Sequence, residues 1–414
     1  MKHLHRLIQL MAATALAWFS MAAAAQDTLN VQPDNQPAPI EIPLALTSDI
    51  DSLLSLYHAK AYLQQDANCE TSGTNPYFDK AVYVERIAKM PTIMEMVYNE
   101  PVRKMIDQYA ERGRRQVALW LGLSNFYIPI FEQALESYQL PLELKYLPLI
   151  ESGLNPKAES HAGASGPWQF MLNTAKHYGL QVNSLIDERK DPIRSSYAAA
   201  QFLRDLYKIF GDWNLVIAAY NCGPENINKA IKRAGGSRDY WQIYPYLPTE
   251  TRGYVPAFIA ANYIMTYYCE HNICPMLTDL SLKTDTIVVN RNLHLQQIAD
   301  VCQTDINLLR TLNPQYRKDI VNGATEPYAV RLPIDIINRF IEYQDSVYQY
   351  KADELVGRRT EVEPAVASST TSSSVSRSSS RSKGNGQSSS SWRRGKSYHH
   401  GSGHSSRHHR RGRR

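Results

Sequence analysis

A chain of 414 residues that is 43% hydrophobic, 21% charged and 10% aromatic holds enough apolar material for one large core and a small extra domain. That excludes a wholly disordered chain and a polytopic membrane protein. The formal charge of +5 conceals a division: after Glu363 there are eleven Lys/Arg and no acidic residue, leaving 34 basic against 40 acidic side chains in the rest. The chain reads as a mildly acidic body with a basic tail.

Residues 1–25 have the pattern of a secretory signal. Lys2 and Arg6 supply a positive start, Leu7 to Phe19 is largely apolar, and Ala22 to Ala25 offers small residues for cleavage before Gln26. The apolar run falls short of the roughly 20 residues of a membrane span, which favours cleavage over a transmembrane anchor. No cysteine lies near the cleavage point, which disfavours a lipid anchor there. Export permits oxidation of the five cysteines, Cys69, Cys222, Cys269, Cys274 and Cys302. Their odd number leaves at least one unpaired or paired between chains, and Cys269 and Cys274 are spaced to close a small loop. A zinc site using His271 lacks a second pair of ligands, so no metal is expected.

Residues 26–74 form an N-terminal extension, Pro-rich and extended from Gln32 to Pro43. From 75 to 275 helical spacing dominates. Asp191-Pro192 predicts an N-cap with Pro at the first helical position, followed by apolar Tyr197, Phe202, Leu206 and Ile209 and a stop at Gly211. Asp212 is placed to cap a helix over Trp213 to Tyr220, with Gly223 past its end. Gly223-Pro224 opens another that closes near Gly235-Gly236. Val255 to Tyr268 is a further apolar helix. The region from 284 to 334 changes character. Short strands are predicted at Thr286 to Val289 and Tyr328 to Leu332, with helices over Leu295 to Cys302 and Asp305 to Leu312 between them. Asp335 is placed to cap a helical extension over 335–360. The tail, 361–414, is a low-complexity run of Ser, Gly, Arg and His that is expected to be disordered. Its charge suits either a polyanionic envelope component or simple solvation, and export argues against a nucleic-acid partner.

The chemistry concentrates in separated stretches. In Leu147-Pro148-Leu149-Ile150-Glu151-Ser152-Gly153 a carboxylate follows apolar residues and precedes a helix-ending glycine. Partial burial there raises its pKa and lets the acid donate a proton near neutrality; taken alone, the segment also fits a surface Glu at a helix end. Gly163 to Phe170 (GASGPWQF) combines small residues that admit close backbone approach with Trp168, a stacking face for a sugar or else a core residue, and Gln169, an amide suited to hydroxyls. Ala218 to Gly223 brings the Tyr220-Asn221 pair to a helix end, and Glu250 to Pro256 (ETRGYVP) adds the Tyr254 phenol. Asp187, Glu188, Asp191 and Glu250 are available as a second carboxylate, although caps or ion pairs account for them equally well.

The order Glu-Ser, GASGPWQF, DERKDP, AYNCG and ETRGYVP resembles the lytic murein transglycosylases of the membrane-bound D type, over roughly Asn75 to Glu270. The resemblance implies a mainly α architecture, with a goose-type-lysozyme-like helical catalytic domain. It places the family's catalytic acid on Glu151 and its substrate-binding residues on Ser152, Gln169, Tyr220, Asn221 and Tyr254. Pro167 stands where Leu or Met is usual, and Cys222 where Ala is usual. Leu295 to Ala299, Asp305 to Leu309, Leu312 to Pro314 and Val330 to Pro333 resemble a LysM domain, a small β-α-α-β module that binds glycans containing N-acetylglucosamine; the usual Gly-Asp-Thr-Leu opening is replaced by Asn290 to Leu293. Together these imply cleavage, without a cofactor, of the β-1,4 bond between N-acetylmuramic acid and N-acetylglucosamine of peptidoglycan, leaving 1,6-anhydro ends in the periplasm or cell envelope. A hydrolase on the same fold and a non-catalytic peptidoglycan-binding scaffold are the alternatives.

Overall fold

The computed structural model describes residues 73–364 apart from 279, 281, 282 and 358. The signal, most of the N-terminal extension including Cys69, and the basic tail lie outside the described residues. The helical part runs α1 (Lys80–Lys89), α2 (Glu100–Ala110), α3 (Arg114–Ser137), α4 (Leu147–Ser152), α5 (Leu172–His177), α6 (Pro192–Phe210), α7 (Trp213–Cys222), α8 (Pro224–Arg233), α9 (Tyr240–Ile243) and α10 (Thr249–Thr266). The expected mainly α architecture is what forms.

Local chemistry sets most of these boundaries. The Asp191 carboxylate accepts from the Ile193 and Arg194 N–H groups at the start of α6, and Gly211 closes that helix in the left-handed region. Asp212 caps α7 through the Leu215 N–H, and Gly223 lies just past its end. One core unites α2, α3, α6, α7 and α10, with Trp120, Phe131, Trp168, Phe258 and Tyr263 among its fully buried side chains. Helix α10 packs on α2 and α7, and α3 packs on α6.

The apolar helix expected from Val255 begins six residues earlier, at Thr249, so the ETRGYVP stretch lies inside α10. Proline within a helix frees the carbonyl four residues before it. Here the Arg252 carbonyl freed by Pro256 accepts the Tyr240 hydroxyl at 3.2 Å, which makes the interruption tolerable.

The C-terminal unit has its own core around Val289, Leu293, Leu295, Ile298, Val330 and Leu332. Strands β1 (Thr284–Val289) and β4 (Tyr328–Pro333) pair antiparallel, with Thr284 opposite Pro333 and Val289 opposite Tyr328. Between them lie β2 (Asn292–His294), α11 (Leu295–Val301), α12 (Ile306–Leu312) and β3 (Ile320–Asn322). The β-α-α-β reading is right in outline, but β2 and β3 add a second antiparallel pair. Strands this short carry no readable alternation. Asp335 does not cap the following helix: α13 (Ile334–Glu342) starts from Pro333, and Asp335 sits in its first turn. The extension then breaks at Tyr343 into α14 (Gln344–Gln349) and, after Lys351, α15 (Ala352–Leu355).

The small loop expected between Cys269 and Cys274 is not closed by them. Cys274 is disulfide-bonded whereas Cys269, Cys222 and Cys302 are free. Both ring nitrogens of His271 are engaged, Nδ1 with Asn75 Oδ1 at 2.7 Å and Nε2 with the Tyr263 hydroxyl at 3.1 Å. No helix among the described residues is long and apolar enough to cross a membrane.

Candidate active site

Helix α4 is short and buried almost all round. Leu147, Pro148, Leu149, Ile150 and Ser152 are buried, and Glu151 alone remains half-buried. Pro148 sits in the first turn, where its missing N–H costs nothing. Gly153 (φ 62°) ends the helix, donating its N–H to Leu149 O at 3.1 Å. The apolar run therefore fixes the backbone, and the glycine stop leaves Glu151 at the edge of the core.

Burial lifts the Glu151 carboxyl to about 7. The Tyr254 hydroxyl donates to Glu151 Oε1 and pulls in the opposite direction, and the negative charge of Glu250 pushes the same way as burial. Tyr254 is only 5% exposed. Its phenol is held well above the ordinary value by burial first and the Glu151 charge second, so it stays a donor across the physiological range. Tyr220 is raised well above its ordinary value by burial and then by Glu151, and its hydroxyl donates to Trp168 O at 2.7 Å.

The loop from Gly163 to Phe170 is tied to α4 and α7 through its backbone carbonyls. Ser152, 5% exposed, donates to Pro148 O at 3.1 Å and Pro167 O at 2.9 Å. Its hydroxyl thus ties α4 to the loop and is not directed at a ligand. Ser152→Ala is expected to cost about 1–3 kcal/mol of stability by removing the Pro167 carbonyl's side-chain donor, while Pro148 O keeps its backbone bonds; urea unfolding of the two proteins checks it.

Gln169 holds a left-handed conformation (φ 47°), uncommon for a non-glycine residue and frequent at functional sites. Its Nε2 donates to Gly166 O at 2.9 Å and Ala158 O at 3.3 Å, which anchors the amide through its nitrogen. Trp168 offers no stacking face. It is fully buried against Phe131, and its indole N–H donates to Ser196 Oγ at 2.8 Å. Trp168 is therefore a core residue.

Asn221 sits in the last turn of α7, and its Oδ1 accepts the Thr251 hydroxyl at 2.9 Å. That bond fixes the amide and leaves Nδ2 to donate. Thr251 escaped notice in the sequence, although it lies within ETRGYVP between the recognised Glu250 and Tyr254. The other carboxylates divide as their surroundings dictate. Asp187 is held by Arg189 and Arg317, Glu188 by Arg194 and the Gln181 N–H, and Asp191 is the α6 cap. Glu250 is exposed in the first turn of α10. Burial pushes the half-buried Cys222 thiol up to about 11, so it remains a thiol at neutral pH. Among the described residues no cluster of His, Cys, Asp and Glu is arranged to hold a metal ion.

Residues 129–243 match the family model of the transglycosylase SLT domain, and residues 283–349 match that of the LysM-like domain of lytic transglycosylase MltD. The chain is 34% identical over 198 residues to the membrane-bound lytic murein transglycosylase D of Escherichia coli (strain K12), covering 47% of this chain and 43% of that protein. It is 32% identical over 124 residues to the soluble lytic murein transglycosylase of the same organism, covering 28% of this chain and 19% of that one. The solved structure of the 70 kDa soluble lytic transglycosylase of Escherichia coli aligns with a TM-score of 0.31 at 28% identity, over 34% of this chain and 24% of that one. The chain thus spans less than half the length of these two curated relatives. It carries an SLT transglycosylase domain followed by an MltD-type LysM-like domain.

Proposed function

We propose that the protein is an exported peptidoglycan lytic transglycosylase with Glu151 as its single acid and base. The observation that carries this reading is a half-buried carboxyl raised to about 7, hydrogen-bonded by a buried phenol and set beside a strained loop. The SLT match over 129–243 includes Glu151 and supports the same chemistry. In this reading residues 75–275 form the catalytic domain, 284–334 bind glycan and 335–360 extend that unit. The basic tail contacts a polyanionic component of the envelope.

Glu151 delivers its proton to the oxygen of the β-1,4 bond between N-acetylmuramic acid and N-acetylglucosamine. The C1–O bond breaks, the N-acetylglucosamine hydroxyl leaves, and positive charge develops at C1 of the muramic acid. Its 2-acetamido oxygen supports that charge, with the acetamido group oriented by Asn221 Nδ2 and the Tyr254 hydroxyl. Glu151, now a carboxylate, takes the proton of the C6 hydroxyl as that oxygen closes on C1. The product is the 1,6-anhydro sugar, no water is consumed, and the acid is regenerated. One carboxyl group suffices because protonation and deprotonation occur in turn. A hydrolase that inverts configuration needs a second free carboxylate about 6.5–9.5 Å away; Asp187, Glu188 and Asp191 are tied to cations or backbone N–H groups, and the exposed Glu250, whose charge acts on Glu151, is the one candidate of the four left for that role. Mass spectrometry of digested murein tests the reading. Products one water lighter than reducing ends are expected, and reducing ends alone would overturn it.

The reaction needs the protonated acid at the start, so kcat/KM on murein is expected to fall as pH rises through about 7, where Glu151 loses its proton. The Tyr254 hydrogen bond lowers that value. Tyr254→Phe should therefore move the alkaline limb to higher pH while reducing turnover, and a pH–rate profile of both proteins checks the direction.

A further inference from the structure

One buried charge cluster lies outside the chemistry just described. Asp187 is fully buried and Arg189 is 5% exposed. Arg189 meets Asp187 with two parallel bonds, Nε to Oδ1 at 2.8 Å and Nη2 to Oδ2 at 2.9 Å. A second guanidinium reaches the same carboxylate from the C-terminal unit: Arg317 Nη2 is 2.5 Å from Asp187 Oδ2. Backbone bonds seat that contact. The Asp187 N–H donates to Gln315 O at 2.9 Å and the Arg317 N–H to Leu185 O at 2.8 Å, bridging Ile186 to Tyr316.

Arg189 carries the connection onward. Its Nη1 donates to Gly163 O at 2.8 Å and to Phe170 O at 3.2 Å. Those carbonyls stand at the two ends of the loop that holds Gln169 and abuts Glu151 through Ser152 and Tyr220. A carboxylate and one arginine make a neutral pair that can shift as a unit. A second arginine, anchored by backbone bonds in another unit, pins the carboxylate, and the carboxylate pins the fork.

We infer that Arg317 is a positioning residue for the Gly163–Phe170 loop, acting through Asp187 and Arg189, so that docking of the LysM-like unit sets the shape of the acid's surroundings. The inference deepens the proposed function by naming what holds its substrate loop. The LysM-like unit is then a structural part of the catalytic site as well as a module for glycan.

Hydrogen–deuterium exchange on the full chain tests this without any need for murein cleavage. In Arg317→Met the paired amides of Ser165, Gln169 and Phe170 are expected to exchange at least about tenfold faster while α6 and α10 keep wild-type rates. Arg317→Lys, which keeps the charge but not the fork, should fall between. Arg291→Met, which removes an exposed ion pair of the same unit, should leave the loop unchanged. In murein assays Arg317→Met should also move the alkaline limb of activity to lower pH, because a looser loop admits water to Glu151. Wild-type exchange of the loop in folded Arg317→Met overturns the inference, as does acceleration spread evenly over the helical domain. If Arg317→Met does not fold, wild-type loop exchange in Arg317→Lys overturns it. A wild-type protein that leaves murein intact would sink the proposed function, and the exchange rates would still decide the role of Arg317.

Discussion

Glu151→Gln is expected to lower murein turnover by about 100- to 10,000-fold, the range that general acid–base chemistry contributes. The replacement keeps the size and the acceptor oxygen that meets Tyr254, so binding of glycan strands should survive. Only the transferable proton is removed. Quantifying anhydro-muropeptides from wild type and variant checks the expectation. Turnover within about threefold of wild type in a clean preparation would remove Glu151 from the mechanism.

The same substitution has a signature in stability that guards against a trivial explanation. Folding raises the Glu151 carboxyl from 4.5 to about 7. A raised acid favours the folded state while it is protonated, and that advantage disappears as pH climbs through the folded value. Wild type should accordingly lose stability between about pH 5 and pH 8 relative to Glu151→Gln. The limit is about 3 kcal/mol, from the worth of one pKa unit. Melting both proteins across that range gives the difference. An inactive variant that is as stable as wild type at pH 5 and more stable at pH 8 has lost its chemistry and kept its fold.

What the sequence made legible was local. Asp191, Asp212, Gly211 and Gly223 punctuate helices through bonds to residues a turn away, so their spacing alone reveals them. Glu151 was readable as a carboxylate at a helix end because Leu147 to Ile150 and Gly153 are its sequence neighbours. The partners that tune it were readable only as separate motifs: Tyr254 lies 103 positions away, and nothing in either stretch states that they touch. Trp168 fits two readings in the sequence because its burial depends on Phe131 and Ser196, which belong to helices distant in the chain. Arg317 gave no signal at all. Its partner Asp187 is 130 positions earlier, and an arginine in a short connection looks like any solvated one. The start of α10 was misplaced for a different reason. A proline inside a helix is tolerated where its freed carbonyl finds a donor, and the Tyr240 hydroxyl that relieves Pro256 comes from another segment.

Gly166→Ala should be the most damaging single methyl group in this region, costing about 3–5 kcal/mol of stability and at least about 100-fold in turnover. Gly166 has φ +86°, a conformation that side chains rarely adopt, and a Cβ built there would lie 1.7 Å from Arg189 O. That atom is backbone, so no rotamer change relieves the clash. Either Gly166 or the Asp187–Asp191 turn must move. Moving Gly166 disturbs its N–H bond to Ala158 O at 3.0 Å and the Gln169 N–H and Nε2 bonds to its own carbonyl. Moving the turn drags Arg189 off Gly163 and Phe170. Both routes displace Pro167 and Trp168, whose carbonyls are held by Ser152 and Tyr220 beside the acid. Gly163→Ala supplies the contrast: it shares the left-handed backbone (φ +84°), but nothing lies within 4 Å of its added Cβ. It should therefore pay the conformational penalty alone, about 1–2 kcal/mol, and retain most of its activity. Urea unfolding and murein turnover of the pair separate steric closure of this loop from mere backbone strain, and equal effects of the two substitutions would refute the close packing of Gly166 on Arg189.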